Sequence, residues 1–211
     1  MRRFKAGGVT KHLRSCNVSI ELDYTRVMTA GDSAGGYLAI HSGLTQPMGT
    51  IKAILGCYPM TNYLRRKPQP FFMDEPSPPE AIIDEHVERI NPDTVISGAP
   101  PRPRNRISYA LSAYGRYTEF FGSGENLWPI SLLPSVKQCP STMIVHGTAD
   151  NAVNVDDSRI FVMKTKEVIG ENADIILVQR EGEDHGFDMD ATEHEKWVKD
   201  VMKWAEEKWI K

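Results

Sequence analysis

A serine hydroxyl attacks a carbonyl at neutral pH only when a base takes its proton and the backbone lifts it clear of its neighbours. Residues Gly31-Asp32-Ser33-Ala34-Gly35-Gly36 have the composition for that task. This G-x-S-x-G pattern follows the apolar run Arg26-Val27-Met28-Thr29-Ala30 and opens a helical one. A serine at such a strand-to-helix junction sits in a sharp, strained turn, and glycine at 31 and 35 removes β-carbons that would collide across it. Asp32 frames this nucleophile elbow, and Gly36 carries it into the helix. The same turn aims a helix N-terminus at the reacting carbonyl, so the amide of Ala34 is placed to donate to an oxyanion.

An acid and a base follow in corresponding places. The apolar run at 142–146 leads through Gly147-Thr148-Ala149 to Asp150, and the run at 174–179 leads through residues 180–184 to His185. Catalytic groups of open α/β sheets collect beyond the carboxyl ends of strands, where both residues fall. Each alone is ambiguous, because Asp150 could merely cap its loop and His185 is one of six histidines. Together, Ser33, Asp150 and His185 stand in the chain order that an elbow on such a sheet uses, unlike either of two protease orders. Asp156, Asp157 and Asp184 are the alternative acids, and His146 is read as packing at its strand end. The chemistry expected is acyl transfer: His185 deprotonates Ser33, Asp150 holds the imidazole, and water later releases the acid.

The elements that must position these groups are legible as alternating strands and helices. Strands are expected at 26–30, 51–57, 142–146 and 174–179, each a short apolar run without polar alternation, as suits a parallel sheet covered on both faces. Helices are expected at 36–45, at 156–169 before Gly170, and at 193–210, where Thr192 and Glu195 form a capping box. In that last helix Trp197, Val201, Trp204 and Ala205 make one apolar stripe, with Lys208 off it. This is an α/β fold with a mostly parallel sheet.

Residues 58–140 interrupt the alternation with prolines, two helical stretches at 79–90 and 107–121, and too many aromatics for disorder. They are expected to form a helical lid inserted in a single domain of residues 1–211. Tyr63, Phe71, Phe72, Tyr114, Tyr117 and Trp128 are its candidates to line a substrate pocket.

Composition excludes several classes. The chain is 40% hydrophobic and 25% charged with a formal net charge of −3, which argues against nucleic acid as a partner. No apolar run is long enough for a membrane span, and the basic start leads into no signal-like stretch. Cys16, Cys57 and Cys139 are scattered, odd in number and without C-x-x-C spacing, so a reduced, cytoplasmic protein is expected.

Gly31-Asp32-Ser33-Ala34-Gly35-Gly36, His146-Gly147-x-x-Asp150 and Asp184-His185-Gly186-Phe187 resemble the hormone-sensitive-lipase-like carboxylesterases of the α/β-hydrolase superfamily, over a match from about residue 16 to the end. The resemblance implies hydrolysis of carboxylic esters of small lipophilic substrates, with no metal and no diffusible cofactor. It also implies an HGGG-type motif upstream of the nucleophile to complete the oxyanion hole, and nothing here matches it. Gly7-Gly8 lacks the histidine and lies too near Ser33. The chain is therefore expected to be an α/β-hydrolase lacking its N-terminal strands, with the strand at 26–30 as an exposed edge open to self-association. A catalytically impaired small-molecule-binding protein that keeps the pocket is the alternative. A prolyl-peptidase-like enzyme ranks third, since no propeller or other accessory domain is seen.

Overall fold

A computed structural model describes residues 7–62, 70–72, 75–91, 93, 102–122, 124 and 126–210. In chain order its elements are α1 (Gly8–Ser15), β1 (Met28–Asp32), α2 (Ser33–Thr45), β2 (Ala53–Cys57), β3 (Phe71–Phe72), β4 (Glu75–Pro76), α3 (Ala81–Glu88), α4 (Arg102–Ala113), α5 (Tyr117–Phe121) and α6 (Pro129–Leu132). After a 3₁₀ turn at Leu133–Ser135 come β5 (Ser141–Gly147), α7 (Val155–Ile169), β6 (Ile175–Arg180) and α8 (Lys196–Ala205), which runs into a π-helical turn at Glu206–Ile210.

Four strands form one parallel sheet in the order β1-β2-β5-β6. Successive side chains of a strand point to opposite faces, and both faces here are covered. Ile54 and Ile144 pack with Ile40 of α2 and Phe161 of α7 on one side. Ala53, Met143 and Val145 meet Val201, Trp204 and Ala205 of α8 on the other. A strand buried on both faces reads as an unbroken apolar run, as β2 and β5 do, while β1 and β6, the outer strands among the described residues, keep exposed positions. With this sheet and these helices the chain is an α/β-hydrolase in fold.

Several boundaries differ from expectation for identifiable reasons. The helix after the elbow starts at Ser33, not Gly36. The stretch expected as one helix at 107–121 is two, α4 and α5, because Gly115 turns the chain at φ 66°. The C-terminal helix begins at Lys196 and its last turn is π-helical. Half of the expected capping box is made: the Thr192 N–H donates to Glu195 at 3.1 Å. The other Glu195 oxygen accepts from the Trp197 indole at 2.6 Å, and the helix starts after Glu195 instead of after Thr192. The two-residue strands β3 and β4 pair antiparallel and were not anticipated.

Strand β1 is an edge among the described residues, bonded to β2 alone, with Ala30 and Asp32 exposed. The C-terminal turn meets the chain just before it, through Trp209 Nε1–H donating to the Arg26 carbonyl at 2.8 Å and Arg26 Nη1 donating to the Ile210 carbonyl at 3.0 Å.

Candidate active site

Ser33 stands between β1 and α2 with φ 49°, a left-handed conformation for a residue that carries a side chain. Such strain costs about 1–3 kcal/mol and persists only where the surroundings enforce it. Close approach enforces it here. A β-carbon on Gly31 would lie 2.4 Å from the Gly35 carbonyl carbon, and one on Gly36 would lie 2.9 Å from the Pro59 side chain. Gly35 itself is different: an added β-carbon would meet only Asp32 Oδ1, at 3.8 Å. The steric need expected at 31 and 35 therefore sits at 31 and 36. Asp32 occupies the N-cap position of α2 in extended conformation, exposed and without a side-chain bond to the helix. Ala34 lies in the first turn of α2, where backbone N–H groups have no intrahelical acceptor.

The end of β2 wraps this elbow. Pro59 packs on Gly36, and the Met60 N–H donates to the Ser33 carbonyl at 3.3 Å.

The loops after β5 and β6 bring acid and base together. Gly147 lets them cross, since a β-carbon there would lie 2.2 Å from the Glu183 carbonyl oxygen. Ala149 N–H then donates to that carbonyl at 3.0 Å. Asp184 ties the loops further, Oδ1 accepting from the Asn151 N–H at 2.9 Å and Oδ2 from the Asn151 side-chain amide at 3.0 Å.

Between the loops, His185 Nδ1 lies 2.8 Å from Asp150 Oδ2 and His185 Nε2 lies 3.1 Å from Ser33 Oγ. The carboxylate can only accept, so the proton sits on Nδ1 and Nε2 is left to accept from the serine. The Asp150 side chain is fully buried, and its Oδ1 accepts from the N–H groups of Ala152 at 2.9 Å and Val153 at 2.7 Å. Burial pushes this carboxyl up, but hydrogen bonds from His146, His185 and the Val153 N–H outweigh it and hold the group well below the usual carboxylate range.

Of the alternative acids, Asp184 bonds the His185 backbone N–H at 2.6 Å, and Asp156 pairs with Arg159 at 2.8 Å. Asp157 is buried in the first turn of α7.

Sequence reasoning placed His146 at a strand end and missed its second contact. Its Nε2 lies 2.8 Å from the Val153 carbonyl and 3.3 Å from Asp150 Oδ2, while Nδ1 lies 2.8 Å from Ser158 Oγ. Tyr58 was missed altogether. Its ring centroid lies 4.5 Å from that of His185. Its hydroxyl donates to Asp188, and burial, then that bond, push the phenol far up.

The expected pocket residues are dispersed. Trp128 is buried with Met60 and Val153, and Tyr117 packs against that group. Tyr114 lies beside Ala113 and Ala152, two residues past Asp150, and its hydroxyl donates to the Pro78 carbonyl at 3.0 Å. Phe71 is 59% exposed on β3, turned to solvent. Tyr63 and the Phe72 side chain lie outside the described residues. Among the described residues no cluster of three or more His, Cys, Asp or Glu could hold a metal ion, and no helix is long and apolar enough to cross a membrane.

Comparison with known proteins agrees with this arrangement in fold. The model of the prolyl oligopeptidase family matches residues 101–210. A probable carboxylesterase M8 of Phoma sp. is 27% identical over 197 residues, covering 89% of this chain and 61% of that protein. A probable carboxylesterase clz11 of Cochliobolus lunatus is 28% identical over 145 residues, covering 62% of this chain and 64% of that protein. The chain thus spans about three-fifths of the length of these curated relatives. Among solved structures, the Pyrococcus horikoshii acylaminoacyl peptidase superposes with a TM-score of 0.59 at 16% identity, over 96% of this chain and 26% of its own. Thermogutta terrifontis esterase 2 phosphoramylated by tabun superposes with a TM-score of 0.52 at 19% identity, over 96% of this chain and 61% of its own.

Proposed function

The chain belongs to the prolyl oligopeptidase family, and on that premise we propose that it is a serine hydrolase cleaving carboxylic esters of small lipophilic substrates through Ser33, His185 and Asp150. The observation that carries the reading is the unbroken line from Ser33 Oγ through both nitrogens of His185 to Asp150, hung on a strained elbow. His185 Nε2 takes the serine proton as Oγ attacks the carbonyl, and Asp150 stabilises the imidazolium that forms. The Ala34 N–H donates to the oxyanion, and His185 returns its proton to the departing alcohol. Water then enters, is deprotonated by the same nitrogen, and releases the acid from Ser33.

Preference for esters rests on the two probable carboxylesterases and on the motifs shared with the hormone-sensitive-lipase-like branch. Residues 58–140 act as the lid in this reading. Their support is the packing of Trp128 with Val153 and of Ala113 with Ala152, both on the loop that follows Asp150. A cytoplasmic location fits the three free thiols. The family match favours a second reading, in which the same residues cleave an amide. This prolyl-peptidase-like alternative, ranked third from sequence for want of an accessory domain, moves ahead of a binding protein without activity.

One set of assays tests these readings. A fluorophosphonate probe should label Ser33 and no other serine, since only an activated hydroxyl attacks phosphorus at neutral pH. A short-chain nitrophenyl ester should turn over faster than the matching anilide. Ser33→Ala should cost about three orders of magnitude or more in kcat. A loss below about tenfold would sink the mechanism, and an unlabelled folded protein would leave the binding-protein alternative.

A further inference from the structure

The base stands on a turn, and a turn at the end of a strand does not by itself hold an imidazole to a few tenths of an ångström. His185 is followed by Gly186 at φ 79°, and Met189 N–H closes on the Gly186 carbonyl at 3.0 Å. One side chain from just past the end of β2, Tyr58, packs against this turn. Its ring lies 4.5 Å from the ring of His185 and 5.6 Å from that of Phe187, and its hydroxyl donates to Asp188. Residues 185, 187 and 188 of the turn thus all rest on one phenol. Phe187 in turn lies 5.5 Å from Trp197 of α8, and the Arg180 guanidinium sits 5.2 Å over that indole. The turn is gripped between the sheet and the helix.

A second observation points the same way. Tyr58 is 2% exposed and has φ 37°, a left-handed backbone that a bulky residue adopts only when its neighbours impose it. Those neighbours are in view. Its N–H donates to the Val145 carbonyl of β5 at 2.7 Å, and the next residue, Pro59, is wedged on Gly36 of the elbow. The strained residue therefore joins serine and base. Its backbone is fixed from the Ser33 side and its side chain fixes the His185 side.

We propose that Tyr58 is a positioning residue for the reaction, its ring backing the His185 imidazole and its hydroxyl, through Asp188, locking the turn that carries it. The inference rests on the hydrolase reading above. Tyr58 does not touch the reacting atoms. It sets how often Nε2 faces Ser33 Oγ, so its loss lowers the rate of acylation and leaves substrate binding alone.

The test uses Tyr58→Phe, Asp188→Leu and the double variant: the first keeps the ring and removes the hydroxyl that donates, and the second replaces the carboxylate that accepts with a near-isosteric apolar group. The rate constant for labelling by excess fluorophosphonate is read, because it does not depend on how much of a sample is folded. Each single variant is expected to slow labelling about tenfold, with KM for a nitrophenyl ester unchanged and kcat lowered in parallel. The double variant should be no slower than either single one, since both break one link. The proton NMR signal of His185 Nδ1–H, sharp in the parent, should broaden in all three. Parent labelling that Ser33→Ala abolishes, together with unchanged rates and an unchanged signal in the variants, would overturn the inference while leaving the hydrolase intact. A parent that does not label overturns the hydrolase reading and this one with it.

Discussion

Burial drives Asp150 and Cys57 in the same chemical direction, toward the neutral form, yet the two end in opposite states. Asp150 is surrounded by donors: two backbone N–H groups on one oxygen and two imidazoles near the other. They outweigh desolvation and keep the carboxylate charged. Cys57, at the end of β2, meets burial first and then the charge of Asp188, and both push its thiol up to about 12. At pH 8 its thiolate is then about one part in ten thousand, and only the thiolate is nucleophilic. Iodoacetamide at pH 8 should therefore modify exposed Cys16 long before Cys57, with peptide mapping over time as the readout. Cys57 reacting as fast as Cys16 would mean that the 57–60 segment swings away from the elbow, which the packing of Pro59 on Gly36 opposes.

At the level of elements, the elbow makes the sharpest demand. Gly31→Ala and Gly36→Ala each press a methyl group into backbone or proline at under 3 Å, whereas Gly35→Ala reaches nothing closer than 3.8 Å. Overpacking of this kind costs about 1–3 kcal/mol. The first two variants should lose stability in urea titrations by about that much, and Gly35→Ala should lose less. Equal losses at 31 and 35 would restore the symmetric view of the G-x-S-x-G turn. That view came from the pattern alone, and it shows where sequence stops. The four strands, the helices and the order of Ser33, Asp150 and His185 were legible because buried parallel strands leave unbroken apolar runs and because sites gather at their carboxyl ends. Tyr58 with Asp188 and His146 with Asp150 were not. The first pair is 130 residues apart, and no local periodicity reports a contact across strands. The hairpin of β3 and β4 was invisible for another reason, since two-residue strands carry no pattern.

For the whole molecule the open question is the outer edge of β1. The residues of an edge strand present N–H and C=O groups that seek partners, and proteins blunt such edges with charge, proline, bulges or a covering segment. Here the strand is Met-Thr-Ala-Gly-Asp, and its only charge is at the last residue, Asp32. Trp209 and Arg26 meet just before its start, but Ala30 is exposed. The 211-residue chain is therefore expected to self-associate through β1, with light scattering showing growth in apparent mass between micromolar and tens of micromolar protein. Ala30→Lys places a charge at the middle of the edge and should shift the distribution toward monomer, without touching Ser33, His185 or Asp150. The same edge borders the elbow, so association would crowd the mouth of the site and ester turnover per chain should fall as concentration rises. A parent that stays monodisperse across that range, with Ala30→Lys indistinguishable from it, would show that the edge is already blunted by the segment before β1, where Glu21, Leu22 and Asp23 line a groove with Trp209 and Ile210.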